Sequence, residues 1–228
     1  MPSPVNGYQR ALLGHFAKRP DAVFCRQVGE QGETTLLWRD LEADCGRFAA
    51  AYRAALVRPD DQVLIFLRHV PQLYGAFFGA MLTGAVPAFM PCSSPRQDAG
   101  LYWRSHQILL GAIRPAAIVT DAPTLAEMRV AGLAFGEARV ILIEETVAAA
   151  LTPVLVPETA TALLQHSSGT TGLKKGVALG YAAILAQIES YARAIDLSAD
   201  DTIVSWLPLY HDMGLIACLI LPAYFGAP

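Results

Sequence analysis

The sequence predicts an α/β fold, a mostly parallel, doubly wound sheet flanked by helices, and three observations carry that expectation. Strand-like and helix-like stretches alternate from residue 62 to residue 143, the order that winds helices over both faces of one sheet. Residues 62–67 are a continuous apolar strand of the kind a parallel sheet buries on both sides. With 228 residues, 54% hydrophobic and 16% charged, the chain can enclose a substantial core and is unlike a disordered segment.

Taken in order, residues 8–20 place Leu12, Leu13 and Phe16 at helical spacing and stop before Pro20. Residues 22–28 and 34–37 read as two strands around a polar turn, a hairpin. A long amphipathic helix follows over 38–56, with Leu41, Cys45, Phe48, Ala49, Tyr52 and Leu56 on one side. Asp40 and Glu42 in its first turn, and Arg53 and Arg58 near its end, suit the helix dipole. After strand 62–67, Pro71 opens a helix through Tyr74, Phe77, Phe78, Met81 and Leu82 to Gly84, and residues 85–90 form the next strand. In the loop beyond it, Ser93, Ser94 and Arg96 read either as ligand contacts after a parallel strand or as an ordinary surface turn. Helix 98–113, strand 116–120, helix 123–132 and strand 139–143 complete the alternation, and residues 144–157 make a connection broken by Pro153 and Pro157. Strand 177–179 then leads to a helix over 181–195, with Ile184, Leu185, Ile188, Tyr191 and Ile195 on one face and a surface pair between Glu189 and Arg193. Residues 202–205 read as a further strand.

Composition excludes several classes. A net charge of -3 provides no general attraction to nucleic acid or anionic lipid, so any anion site must be local. The four cysteines, Cys25, Cys45, Cys92 and Cys218, are far apart, with no zinc-like spacing, and are expected to be reduced and mostly buried. His15, His69 and His106 lack neighbouring acidic or cysteine partners, and no metal ligand is assigned. The opening MPSPVNGYQR has no apolar stretch behind a basic start, which points to the cytosol. Residues 70–95 carry no charge and are long enough to cross a bilayer, but Gly75, Gly79, Gly84, Pro87 and Pro91 interrupt them, so a buried helix and strand fit better than membrane insertion.

Two stretches carry chemistry. After Leu163 and Leu164 come six small residues, Ser167, Ser168, Gly169, Thr170, Thr171 and Gly172, followed by Lys174, Lys175 and Gly176. Small side chains let a ligand approach the main chain, consecutive N–H groups can converge on an anion, and a lysine ammonium acts as a point charge on phosphate. A plain flexible turn between two strands is the competing reading. The spacing is not that of the nucleotide-hydrolase P-loop, because Gly169 and Gly172 are too close and Gly176 follows Lys175. The second stretch, SWLPLYHDMGL, has Pro208 holding Leu207 extended and Asp212 able to cap a helix through Leu215, Ile216 and Leu219. That arrangement sets Trp206, Tyr210 and His211 at a strand end, where α/β folds place ligands; a capped helix start beside core aromatics is the plainer alternative.

Residues 167–176 resemble the phosphate-binding loop of the adenylate-forming superfamily, which contains acyl-CoA synthetases, fatty acyl-AMP ligases and peptide-synthetase adenylation domains. Its pattern is Ser or Thr, Ser, Gly, Thr, Thr, Gly, any residue, Pro, Lys, Gly, and this sequence departs once, with Lys174 at the proline. The HDMGL wording is similar to the second conserved stretch of the same superfamily, especially in fatty acyl-AMP ligases. The resemblance implies that Ser167, Ser168, Gly169, Thr170, Thr171, Gly172, Lys175 and Gly176 hold the phosphates of ATP, with Mg2+ neutralising the rest. It implies that Trp206, Tyr210, His211, Asp212, Met213 and Gly214 line the pocket of the acid, with His211 beside its carboxylate.

The implied reaction joins a carboxylic acid, fatty or otherwise apolar, to ATP as an acyl-adenylate and then passes the acyl group to a thiol of coenzyme A or a carrier protein. Positioning and charge neutralisation carry such chemistry, with Lys175 and His211 as the catalytic candidates. By the same resemblance, 1–157 is a first α/β half, 158–228 begins a second half with the phosphate loop, and the chain is the amino-terminal part of a large domain without its C-terminal domain. Such a part alone is expected to bind ATP weakly and not to catalyse adenylation. A different class, a non-catalytic docking domain that keeps the fold, is favoured only by Lys174.

Overall fold

The structure is a computed structural model and describes residues 6–29, 32–93, 98–166, 176–198 and 200–228. Helix α1 (Gly7–Lys18) starts where Asn6 caps it, its side chain accepting the Gln9 N–H at 2.7 Å, and it buries Tyr8, Leu12 and Phe16. Strands β1 (Val23–Gly29) and β2 (Gly32–Leu37) form the expected antiparallel hairpin. Helix α2 (Trp38–Ala54) begins with the Asp40 carboxylate accepting the Leu37 N–H at 2.8 Å, so the first-turn acid satisfies an otherwise open donor.

Strands β3 (Gln62–Phe66), β4 (Val86–Phe89), β5 (Ala117–Thr120) and β6 (Arg139–Leu142) form a parallel sheet in the order β4-β3-β5-β6. Val63 stands opposite Pro87 on one side and Ala117 on the other. Helix α3 (Gln72–Leu82) returns the chain from β3 to β4, whereas α4 (Ala99–Ile113) carries it past β3 to β5, and α5 (Ala122–Val130) continues to β6. Period-two alternation divides β3 between two cores: Val63 and Ile65 share a cluster with Phe77 and Phe78 of α3, while Leu64 and Phe66 join Tyr102, Trp103, Leu109 and Leu110 of α4. Helices on opposite faces make the sheet doubly wound, as the alternation predicts.

The uncharged stretch over 70–95 is buried helix and strand, and among the described residues no helix is long and apolar enough to cross a membrane. Its glycines serve close packing. A Cβ on Gly75 would lie 2.4 Å from the Asp44 Cβ, so α3 can approach α2 this closely only with hydrogen at that position.

Residues 154–156 cross back over this first unit on a buried polar network. Gln9 donates to the carbonyls of Met81 at 2.8 Å and Val154 at 3.0 Å and accepts from Val156 N at 3.0 Å; Asn6 donates to Val156 O at 2.9 Å. Strands β7 (Thr161–His166) and β8 (Gly176–Gly180) then pair antiparallel, and Leu164 packs with Val86 and Ala88 of β4. Helix α6 (Tyr181–Ala194), a π-helix over Met213–Ile220 and the short α7 (Leu221–Phe225) complete the chain. The Tyr8 hydroxyl donates to Ile220 O at 3.0 Å, which ties α1 to the end of the π-helix.

Several expectations need correction. Leu56 lies beyond α2 with a φ of 62° and is exposed, because the helix ends two residues earlier than the periodicity suggests. Only Cys45 is buried; Cys25, Cys92 and Cys218 are half-buried, and all four are free thiols. Arg193 donates to Ser190 at 3.2 Å in place of pairing with Glu189, which lies beside the Tyr224 hydroxyl, and Ile195 is exposed past the end of α6. Residues 202–205 have no strand partner among the described residues, and Val204 is 83% exposed. The helix expected after Asp212 is present, and its hydrogen bonding is π.

Candidate functional site

Two segments far apart in sequence meet at the end of β7. The side-chain amide of Gln165 donates to the Tyr210 carbonyl at 2.7 Å, so the last residues of β7 lie against the turn that presents His211. The His166 side of β7 pairs with Gly176 at the start of β8, which brackets the glycine- and hydroxyl-rich run. Ser167, Ser168, Gly169, Thr170, Thr171, Gly172, Lys174 and Lys175 themselves lie outside the described residues. Gly176 is exposed as the first residue of β8.

The turn before the π-helix is tightly built. His211 N donates to Pro208 O at 3.0 Å, and Leu215 N to His211 O at 2.8 Å. Asp212 caps as expected, its carboxylate accepting Met213 N at 2.8 Å. Gly214 is buried under Pro208. A π-helix is rare and widens the turn, so this short run of wider spacing directly follows the residues singled out in the sequence.

The candidate side chains differ in exposure. Trp206 is 89% exposed and Met213 is 54% exposed, while Tyr210 is half-buried. The His211 ring is exposed and sits 5.2 Å from the Tyr210 ring, tilted by 42°. An exposed imidazole with its main chain fixed on both sides can hydrogen-bond a carboxylate, and the exposed indole offers an apolar and aromatic wall.

The Tyr210 phenol also lies near that of Tyr102 at the start of α4. Burial first, then the neighbouring Cys92, Glu127 and Tyr210, pushes the Tyr102 hydroxyl above its ordinary value, and its O–H donates to Pro91 O. Burial likewise pushes the Cys92 thiol up to about 11, so it is a protonated thiol and not a nucleophile at neutral pH. A cavity of about 920 Å3 opens between α4 and α5, lined in part by Trp103 and by Arg68 and Ser93 beyond the ends of β3 and β4. Ser93 lines it and donates to Glu127 at 2.6 Å, with Arg68 reaching the same carboxylate at 3.4 Å. Of the loop residues flagged from sequence, Ser94 and Arg96 lie outside the described residues.

Sequence reasoning passed over Gln165 and Tyr102. A polar side chain directly after buried Leu163 and Leu164 was the available signal for Gln165; nothing local marked Tyr102. Among the described residues no group of three or more His, Cys, Asp or Glu converges, so none is assigned to Mg2+.

A family profile described as AMP-binding enzyme matches residues 13–228. The chain is 30% identical over 196 residues to the long-chain-fatty-acid–AMP ligase FadD32 of Mycolicibacterium smegmatis, a match covering 82% of this chain and 30% of that protein. It is 24% identical over 222 residues to the medium-chain-fatty-acid–[acyl-carrier-protein] ligase JamA of Moorena producens, covering 94% and 37%. The chain thus spans about a third of the length of the curated relatives it matches. Among solved structures, a fatty acyl-adenylate ligase from L. pneumophila in complex with acyl adenylate and pyrophosphate superposes with a TM-score of 0.84 at 22% identity, covering 96% of this chain and 38% of that one. The McyG A-PCP structure with phenylalanyl-adenylate gives 0.85 at 15% identity, covering 100% and 36%. At these identities the superpositions establish the fold.

Proposed function

The chain belongs to the AMP-binding enzyme family, and on that premise we propose that it activates a carboxylic acid with ATP to an acyl-adenylate, releasing pyrophosphate. The acid is apolar, most simply a fatty acid, and the acyl group goes on to the thiol of coenzyme A or of a carrier protein. What supports this reading is the hydrogen bond from Gln165 to Tyr210, which brings the end of the strand entering the phosphate run beside the turn that carries His211. Adenylation requires that adjacency, because a carboxylate must be delivered to the α-phosphate, and two anions meet only where position and charge are both supplied.

In this reading Ser167, Ser168, Gly169, Thr170, Thr171, Gly172 and Gly176 cradle the β- and γ-phosphates, and Lys175 neutralises their charge. Trp206, Tyr210, Asp212, Met213 and Gly214 shape the acid pocket, and His211 orients the carboxylate. Mg2+ accompanies ATP through phosphate oxygens. Residues 1–157 are the first α/β half and 158–228 the start of the second, in a cytosolic enzyme. Exchange of labelled pyrophosphate into ATP, measured for the complete enzyme against a panel of acids, tests the proposal: exchange is expected with medium- or long-chain fatty acids, and no acid-dependent exchange across the panel would overturn it.

A further inference from the structure

Resting on the reading above, we infer that Gln165 is a positioning residue for the acid: its amide fixes the Tyr210–His211 turn against the end of β7 and so sets where the carboxylate sits.

From outside, Leu209 and Tyr210 pack against the main core and Leu215 is buried in it, but such apolar contacts are non-directional and do not aim the Tyr210 carbonyl. The turn's internal bonds, His211 N to Pro208 O and Leu215 N to His211 O, join residues three and four apart, so they shape the turn without placing it against the sheet. Trp206, His211, Asp212 and Met213 are exposed. The Gln165 donor at 2.7 Å bridges 45 residues and reaches the carbonyl directly before His211. Gln165 itself is in register on β7, opposite Val177 of β8 and next to buried Leu164, so its backbone cannot drift. The amide orientation is set by its acceptor: Nε2 must face the Tyr210 carbonyl. Its Oε1 is buried and has no hydrogen-bond partner. An open buried acceptor is unfavourable, and a sequence that needed only to fill this space would do better with an apolar residue. Keeping an amide here is explained by what the donor end holds.

The test uses the complete enzyme with Gln165→Met, which matches the shape and lacks the donor, and Gln165→Glu, which keeps an acceptor and loses the donor. Two readouts are taken: steady-state pyrophosphate exchange as a function of acid and of ATP, and amide hydrogen exchange. The expected result in both variants is a KM for the acid raised about tenfold, equivalent to about 1.4 kcal/mol, with the KM for ATP within about twofold. The amides of His211 and Leu215 should exchange about tenfold faster while Leu64 in β3 is unchanged, as local opening predicts. An acid KM within about twofold of the parent, or unaltered exchange at His211, overturns the inference, as does an equal loss for acid and ATP together with a general rise in exchange. An enzyme inactive with every acid refutes the proposed function alone, and the hydrogen-exchange readout then decides the role of Gln165.

Discussion

Gly214 lies so close beneath Pro208 that a Cβ on it would fall 2.3 Å from the Pro208 carbonyl oxygen and 2.9 Å from the carbonyl carbon. Both neighbours are main chain and cannot turn aside as a flexible side chain would. Gly214→Ala must therefore push the π-helix away from the turn that carries His211. The expected cost is about 1–3 kcal/mol of stability, as for other overpacked sites, with a larger relative fall in acid-dependent pyrophosphate exchange. Urea unfolding and exchange assays on the same variant check it, and a variant with parental stability and activity would contradict the close approach.

The buried side chain of Gln9 holds the strap at 154–156 through Val154 O and Val156 N, and it also meets the Met81 carbonyl and the Asn6 side-chain amide. Replacing Gln9 with alanine leaves the buried Val156 N–H without its acceptor, while the Met81 carbonyl keeps Gly84 N and the Tyr181 hydroxyl and the Val154 carbonyl, on an exposed residue, can turn to water. Gln9→Ala should cost roughly 1–3 kcal/mol, the penalty of one unmet buried donor together with lost packing. The denaturant midpoint should fall with little change in slope.

Lys175 stands outside the described residues, and its role is argued from the motif. If it neutralises the triphosphate, Lys175→Ala should lower kcat/KM for ATP by about 100-fold or more, as for loss of a charge-stabilising group, while leaving the fold intact by circular dichroism. Unchanged acyl-adenylate formation would leave the phosphate assignment of that run without support.

His15 links the folded state to pH. Burial lowers its pKa below the ordinary 6.5, opposed by its hydrogen bond with the Tyr224 carbonyl and reinforced by Arg19 and Lys18. His69 is lowered as well, by burial. A lowered histidine pKa means that the unfolded chain binds more protons, so this contribution is complete above about pH 6.5 and is lost as pH falls through the folded values. Stability should rise as pH climbs toward about 6.5 from below, and His15→Gln should flatten that rise even though its absolute stability changes. A parental slope in the variant would remove His15 as the cause.

The elements of the first half were legible because their signals are local. The apolar faces of α1 and α2, the uninterrupted strand β3 and the turn residues between them act through backbone preference and burial within a few positions. Residues 202–205 show where that approach fails: their pattern suits a strand, but a strand also needs a partner edge, and none among the described residues pairs with them. The π-helix was equally hidden, since Met213–Ile220 is uniformly apolar and an α-helix buries such a run as well. Local composition does not state which hydrogen-bond spacing the neighbours will impose.

By itself, the sequence determined the α/β class, the order of strands and helices along the chain, and the two stretches whose chemistry matches an acid-activating family. Only the tertiary structure decided that α3 and α4 take opposite faces of β3, that Gly75 exists to let α3 touch α2 at Asp44, and that Gln165 reaches Tyr210. Backbone propensity extends over a few residues, whereas these contacts join positions 31 to 45 apart and are selected by how the whole core closes.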